Sequence, residues 1–156
     1  MDLSSLLDAA HRPGVVSDLT SLAERTISEQ SGMTGLAIKG AVGTAKRVEN
    51  EIIPASINRF LPLILGALQP FATEATAAAE TAATGTADFG AFLASNEDRV
   101  SEALLQIADA NIENVRNPAV LKLFSSIRGK ANRIISPALG ELGSILQRHY
   151  SAAQQK

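Results

Sequence analysis

The chain has 156 residues, no cysteine and a formal net charge of −2. These figures exclude disulfides, thiol catalysis and zinc–thiolate sites, and they give no bulk charge for holding nucleic acid or a membrane surface. The length suits one domain with a hydrophobic core of its own. The expectation is a single all-α domain over 1–156, a multi-helix bundle of about six to eight helices, several of them begun by proline, with a disordered tail at 151–156.

The opening MDLSSLLDAAHRPG carries acids where a secretion signal carries bases, and Asp8 and His11 interrupt its apolar residues. A short helix is expected there, and Pro13 suits the first turn of the next. Val15, Val16, Leu19, Leu22, Ala23 and Ile27 recur at helical steps, with Gly32 as a natural stop. KGAVGTAKR (39–47) resembles a phosphate loop only superficially: the spacing is wrong and no strand precedes it. Ala37, Ala41 and Ala45, with Gly40 beside them, read instead as a face for close helix packing.

A second proline-begun helix starts at Pro54, with a stripe of Ile53, Ile57, Phe60, Leu61, Ile64, Leu65 and Leu68. Pro62 inside it predicts a kink or a break into two short helices. Leu63, off the stripe, suggests a helix touched from several sides. The most apolar run, Phe60 to Phe71, has 12 residues, short of the roughly 20 a membrane span needs. No transmembrane segment is read, and a cytoplasmic location is expected.

The Ala/Thr-rich stretch 72–87 reads as a thin, close-packed helix or a connection, because Ala75, Ala78, Ala79 and Ala82 share one helical face. Phe89, Phe92 and Leu93 then anchor a short turn of helix after Gly85. Ser95 with Asp98 three residues on predicts a cap for a helix whose inner face is Val100, Ala103, Leu104, Ile107 and Ala108. Asn117–Pro118 starts a helix over 118–135, with Val120, Leu123, Phe124, Ile127, Ala131, Ile134 and Ile135 inward. Ser136–Pro137 starts the last, with Leu139, Leu142, Ile145 and Leu146 inward.

Chemistry is sparse. His11 has only Asp8 at helical metal-site spacing, and His149 beside Tyr150 reads as part of a fraying end. No catalytic motif appears, so the chain is expected not to be an enzyme and to need no cofactor. Charge is uneven: eight acids and one base from Phe71 to Glu113 give way to five bases and no acid from Arg116 to Arg133. On one continuous helix Lys122, Lys130 and Arg133 would fall together opposite the apolar face, with Arg128 at the rim. These four are the candidate anion-binding residues, weighed against a solvated face partly paired with the preceding acidic helix.

RPGVVSDL (12–19), IIPASINRFLP (52–62), ALLQIADA (103–110), RGKA (128–131) and PALGELG (137–143) together resemble a family of small, uncharacterised actinobacterial proteins, a domain of unknown function. The resemblance implies a bacterial, cytoplasmic, helical protein and assigns no site residue, ligand or partner. The leading expectation is a non-catalytic helical interaction or scaffold module, for which Ala/Gly-rich helix faces allow a homo-oligomer. The alternatives are an anionic partner, nucleic acid or acidic membrane surface, on the basic face of 118–135, and a carrier of a small apolar ligand in a cavity beside Pro62.

Overall fold

Pro13 stands in the first turn of α1 (Arg12–Ser28), where its missing N–H costs nothing. Gly32, at φ 68°, opens α2 (Gly32–Val48) rather than closing α1. The computed structural model describes residues 1–82 and 85–155, apart from the side chains of Val48, Ala119 and Leu123. After α2 come α3 (Ile52–Thr81), α4 (Phe89–Ser95), α5 (Glu97–Ile112), α6 (Pro118–Arg128), α7 (Ala131–Ile135) and α8 (Leu139–Gln154). A 3-10 turn at Leu3–Leu7 precedes α1, and another at Ser136–Ala138 leads into α8. Among the described residues there is no strand, so the all-α bundle holds.

The central element is α3, 30 residues long. Of the kink or break expected at Pro62, the break does not occur: α3 runs through both Pro62 and Pro70. Pro62 leaves the carbonyl of Asn58 without its helical donor, and Arg12 supplies a substitute from Nη2 at 2.7 Å. By length and composition α3 would also serve as a membrane span. In the fold it gives Leu61, Leu65, Leu68, Phe71, Ala72 and Ala75 to a core shared with α1, α4, α5 and α8. Leu63 stays exposed.

Of the 72–87 stretch, residues 72–81 are helical and form the last third of α3, with Ala82 as its C-cap. Alanine's high helix propensity lets α3 run on, and burial of Ala72 and Ala75 docks it. Residues 83–84 lie outside the described set. Likewise the expected tail is helical through Gln154, where the Ser151 hydroxyl donates to Gln147 O at 2.9 Å; Lys156 is outside the described set.

The expected Ser95 cap is absent. Its hydroxyl donates back to Ala91 O at 2.9 Å within α4, and Asn96 stands at the start of α5. The expected helix over 118–135 is two helices. Gly129 and Lys130 form a turn in which Lys130 N donates to Ile127 O at 3.0 Å, a place where glycine's poor helix propensity favours an end.

α4 crosses α8 at close range. A Cβ on Gly143 would lie 2.7 Å from the Cα of Gly90, and one on Gly90 would strike the carbonyl of Gly140. Gln147 of α8 completes this junction, accepting from Phe89 N at 2.8 Å and donating to Ala87 O at 2.6 Å.

A second, smaller core joins Ile38, Val42 and Ala45 of α2 to Ile52 and Ile53 of α3, with Val120, Ile127 and Ile134 packed on it. Ala41 and Ala45 are buried as the packing reading of 39–47 expects, whereas Ala37 and Gly40 face solvent.

Candidate functional site

Between the two cores the helices do not close. The side chain of Leu123 lies outside the described set, and of the predicted inner faces of α5 and α6, Leu104, Ile107, Val120, Phe124 and Ile127 are only half-buried. They border a cavity of about 460 Å³. From α1 come Leu19, Leu22 and Ile27; from α3, Ile57, Phe60 and Ile64, which flank Pro62; from α7 and α8, Ile134, Ile135 and Leu142. Among the described residues of its lining, Thr26 alone has a polar side chain, and its hydroxyl is committed to Leu22 O at 2.8 Å.

The geometry follows from helix pairing. α6 leans chiefly on α2, not on α1 or α5. Polar ties fasten this layer at its edges: Lys46 to Glu24 at 2.6 Å, Arg128 to Asp109 at 2.6 Å, and Lys130 to the Thr34 hydroxyl.

The four sequence-predicted cations divide. Arg128, Lys130 and Arg133 line one polar recess, while Lys122 lies outside it, exposed on α6. The same recess contains Asp98, Glu102 and Asp109, so three carboxylates face three cations. Arg128 is bidentate to Asp109, at 2.7 and 2.6 Å. That pairing holds the Asp109 carboxyl below its ordinary range, chiefly through the hydrogen bond from Arg128.

His149, expected on a fraying end, is well seated: its side chain is 18% exposed, and Nε2 lies 2.7 Å from Asp18 Oδ2. Arg148 donates to the same oxygen at 2.7 Å. The hydrogen bond with His149, then that with Arg148, lowers the Asp18 pKa. No third ligand joins them; among the described residues no group of three His, Asp or Glu side chains could hold a metal.

Sequence reading missed these partnerships because Asp18 and His149 are 131 residues apart. Arg12 and Asn58 left one trace, since a proline at 62 implies an unpaired carbonyl four residues earlier.

A family model described as a family of unknown function (DUF6918) matches residues 3–150. The chain belongs to that family. No curated protein and no solved structure matches it. Membership brings no assigned site to this family member, so the cavity is interpreted from its own walls.

Proposed function

We propose that this protein is a non-catalytic carrier that holds a small apolar ligand in the cavity between α1, α3, α5, α6 and α8. The observation behind this reading is a volume of about 460 Å³ with an almost wholly apolar lining, within the roughly 300–1,000 Å³ of small-molecule sites. The space opens to solvent, so water there faces apolar walls, and the hydroxyl of Thr26 is already bonded to its own helix. An apolar molecule seated there releases that water and buries its own surface.

The test is displacement of Nile red by apolar ligands, with native mass spectrometry to count them. Saturable binding at one site per chain supports the carrier reading. Absence of both dye uptake and co-purifying ligand would remove it.

A second reading, an interaction module, draws on α2, where Met33 and Leu36 are 85% and 72% exposed. Large apolar side chains on an outer helix face favour self-association. Sedimentation of the wild type against Met33→Ser/Leu36→Ser distinguishes a dimer from a monomer. The anion-binding reading of Lys122, Arg128, Lys130 and Arg133 has weaker support, because neighbouring carboxylates offset the charge of three of them. In either case a cytoplasmic location in an actinobacterium is the setting we infer from the resemblance.

A further inference from the structure

An apolar cavity specifies a ligand's tail and says nothing of its head. Two recesses that adjoin it differ in this respect. Near the C-terminal end of α1, a small recess of about 70 Å³ shares Leu22, Thr26, Ile134 and Ala138 with the cavity. Its arginine, Arg25, is spent on Glu141, with bonds of 3.1 and 2.6 Å, so this end presents a neutral pair.

At the other recess, beside the start of α3, the walls shared with the cavity are Phe60, Val115 and Val120. It measures about 370 Å³, and its polar lining includes Arg59 and Arg116 with one carboxylate, Glu49. Among the described residues, five of the nine arginines donate side-chain hydrogen bonds to other side chains: Arg12 to Asn58, Arg25 to Glu141, Arg99 to Glu74, Arg128 to Asp109 and Arg148 to Asp18. Arg59 and Arg116 have no hydrogen-bonded or ion-paired acid among the described residues. Glu49 instead accepts from Asn117 Nδ2 at 3.4 Å. Arg59 rests over the ring of Phe60, its Cζ 5.8 Å from the centroid, so one of the two guanidiniums lies against a cavity wall. A guanidinium stacked in this way keeps its N–H edge for a planar anion.

We propose that the ligand is a single-tailed anionic amphiphile, a long-chain carboxylate or alkyl phosphate. Its chain fills the cavity and its head meets Arg59 and Arg116. This rests on the carrier reading and adds the polarity and direction of the ligand. Entry with the head at the opposite end gains nothing, because Arg25 is already neutralised there.

The experiment compares palmitate, hexadecyl phosphate and hexadecanol at pH 8 by Nile red displacement, at low and high salt. Either anion is expected to bind about tenfold more tightly than the alcohol at low salt, the scale of one charge-assisted contact. The tighter of the two anions identifies the head. Arg59→Gln/Arg116→Gln should bring the anions down to the affinity of the alcohol and leave the alcohol unchanged. Glu49→Gln, which removes the recess's own carboxylate, should tighten the anions. Equal affinity for all three ligands, or anion binding indifferent to both variants, overturns the head assignment while the cavity stands. Failure of hexadecanol together with the anions overturns the cavity reading as well.

Discussion

Arg12 closes the gap that Pro62 opens in α3: its Nη2 donates to Asn58 O and its Nε to Asn58 Oδ1, both at 2.7 Å. The residue that repairs the long helix therefore belongs to the first turn of another, and it fastens α1 to α3. Arg12→Ala should cost about 0.5–1.5 kcal/mol, the net worth of a hydrogen bond. In a Pro62→Ala background the backbone supplies its own donor, and the same substitution should cost less. A chemical-denaturation double-mutant cycle checks this; strict additivity would show the two residues to be energetically independent.

The α4–α8 crossing has no room for a methyl group. A Cβ at Gly143 would come within 2.8 Å of Gly90 N and Phe89 O, backbone atoms that cannot swing aside. Gly143→Ala and Gly90→Ala should each destabilise by about 1–3 kcal/mol through overpacking, outweighing the helix propensity gained. Gly40→Ala, with nothing within 4 Å of its added Cβ, should be neutral or stabilising. Thermal melts of the three variants decide this, and a harmless Gly143→Ala would refute the crossing.

Ala108 lines the cavity on α5. Ala108→Leu adds three carbons to unfilled apolar space, and at about 0.8 kcal/mol per buried CH₂ the ligand-free protein should gain about 1–2 kcal/mol. The same side chain occupies the ligand's volume, so dye uptake should fall. Stability and binding therefore move in opposite directions. A destabilised variant would mean that the faces of α5 and α6 already touch in solution, and undiminished dye uptake would place the dye elsewhere.

Asp18 makes stability sensitive to acid. Its carboxylate is held below its ordinary pKa by His149 and then Arg148, so the folded state binds the proton less readily than the unfolded state. The contribution is therefore present above about pH 4, where an unfolded aspartate is ionised, and it is lost as pH falls through the lower folded value. Its size is modest because the carboxylate is partly exposed. Asp18→Asn should lower Tm at pH 6, and the difference from wild type should shrink towards pH 3. A gap independent of pH would mean that the aspartate acts by shape alone.

Much of this was legible in the residues. The stripes of α1, α3, α5, α6 and α8 state which side of each helix turns inward, because a buried face must repeat every three to four residues. Proline marks the starts of α1 and α6 because its fixed φ and missing N–H suit a first turn and little else nearby. The candidate site was less legible. A stripe shows that Phe124 or Leu104 faces the interior, but it does not show whether another side chain meets it there.

The sequence by itself determined the helical class and most of the inward faces, since both follow from local periodicity. Tertiary structure alone decided the rest. α6 ends before Gly129, so Arg128, Lys130 and Arg133 share a recess with Asp98, Glu102 and Asp109 while Lys122 stays outside it. Arg12 restores the carbonyl that Pro62 leaves unpaired, and α3 stays whole. Above all, α6 leans on α2 rather than on α1 and α5, which leaves open the space between two cores. Such outcomes depend on distances between residues far apart in the chain, and periodicity carries no information about them.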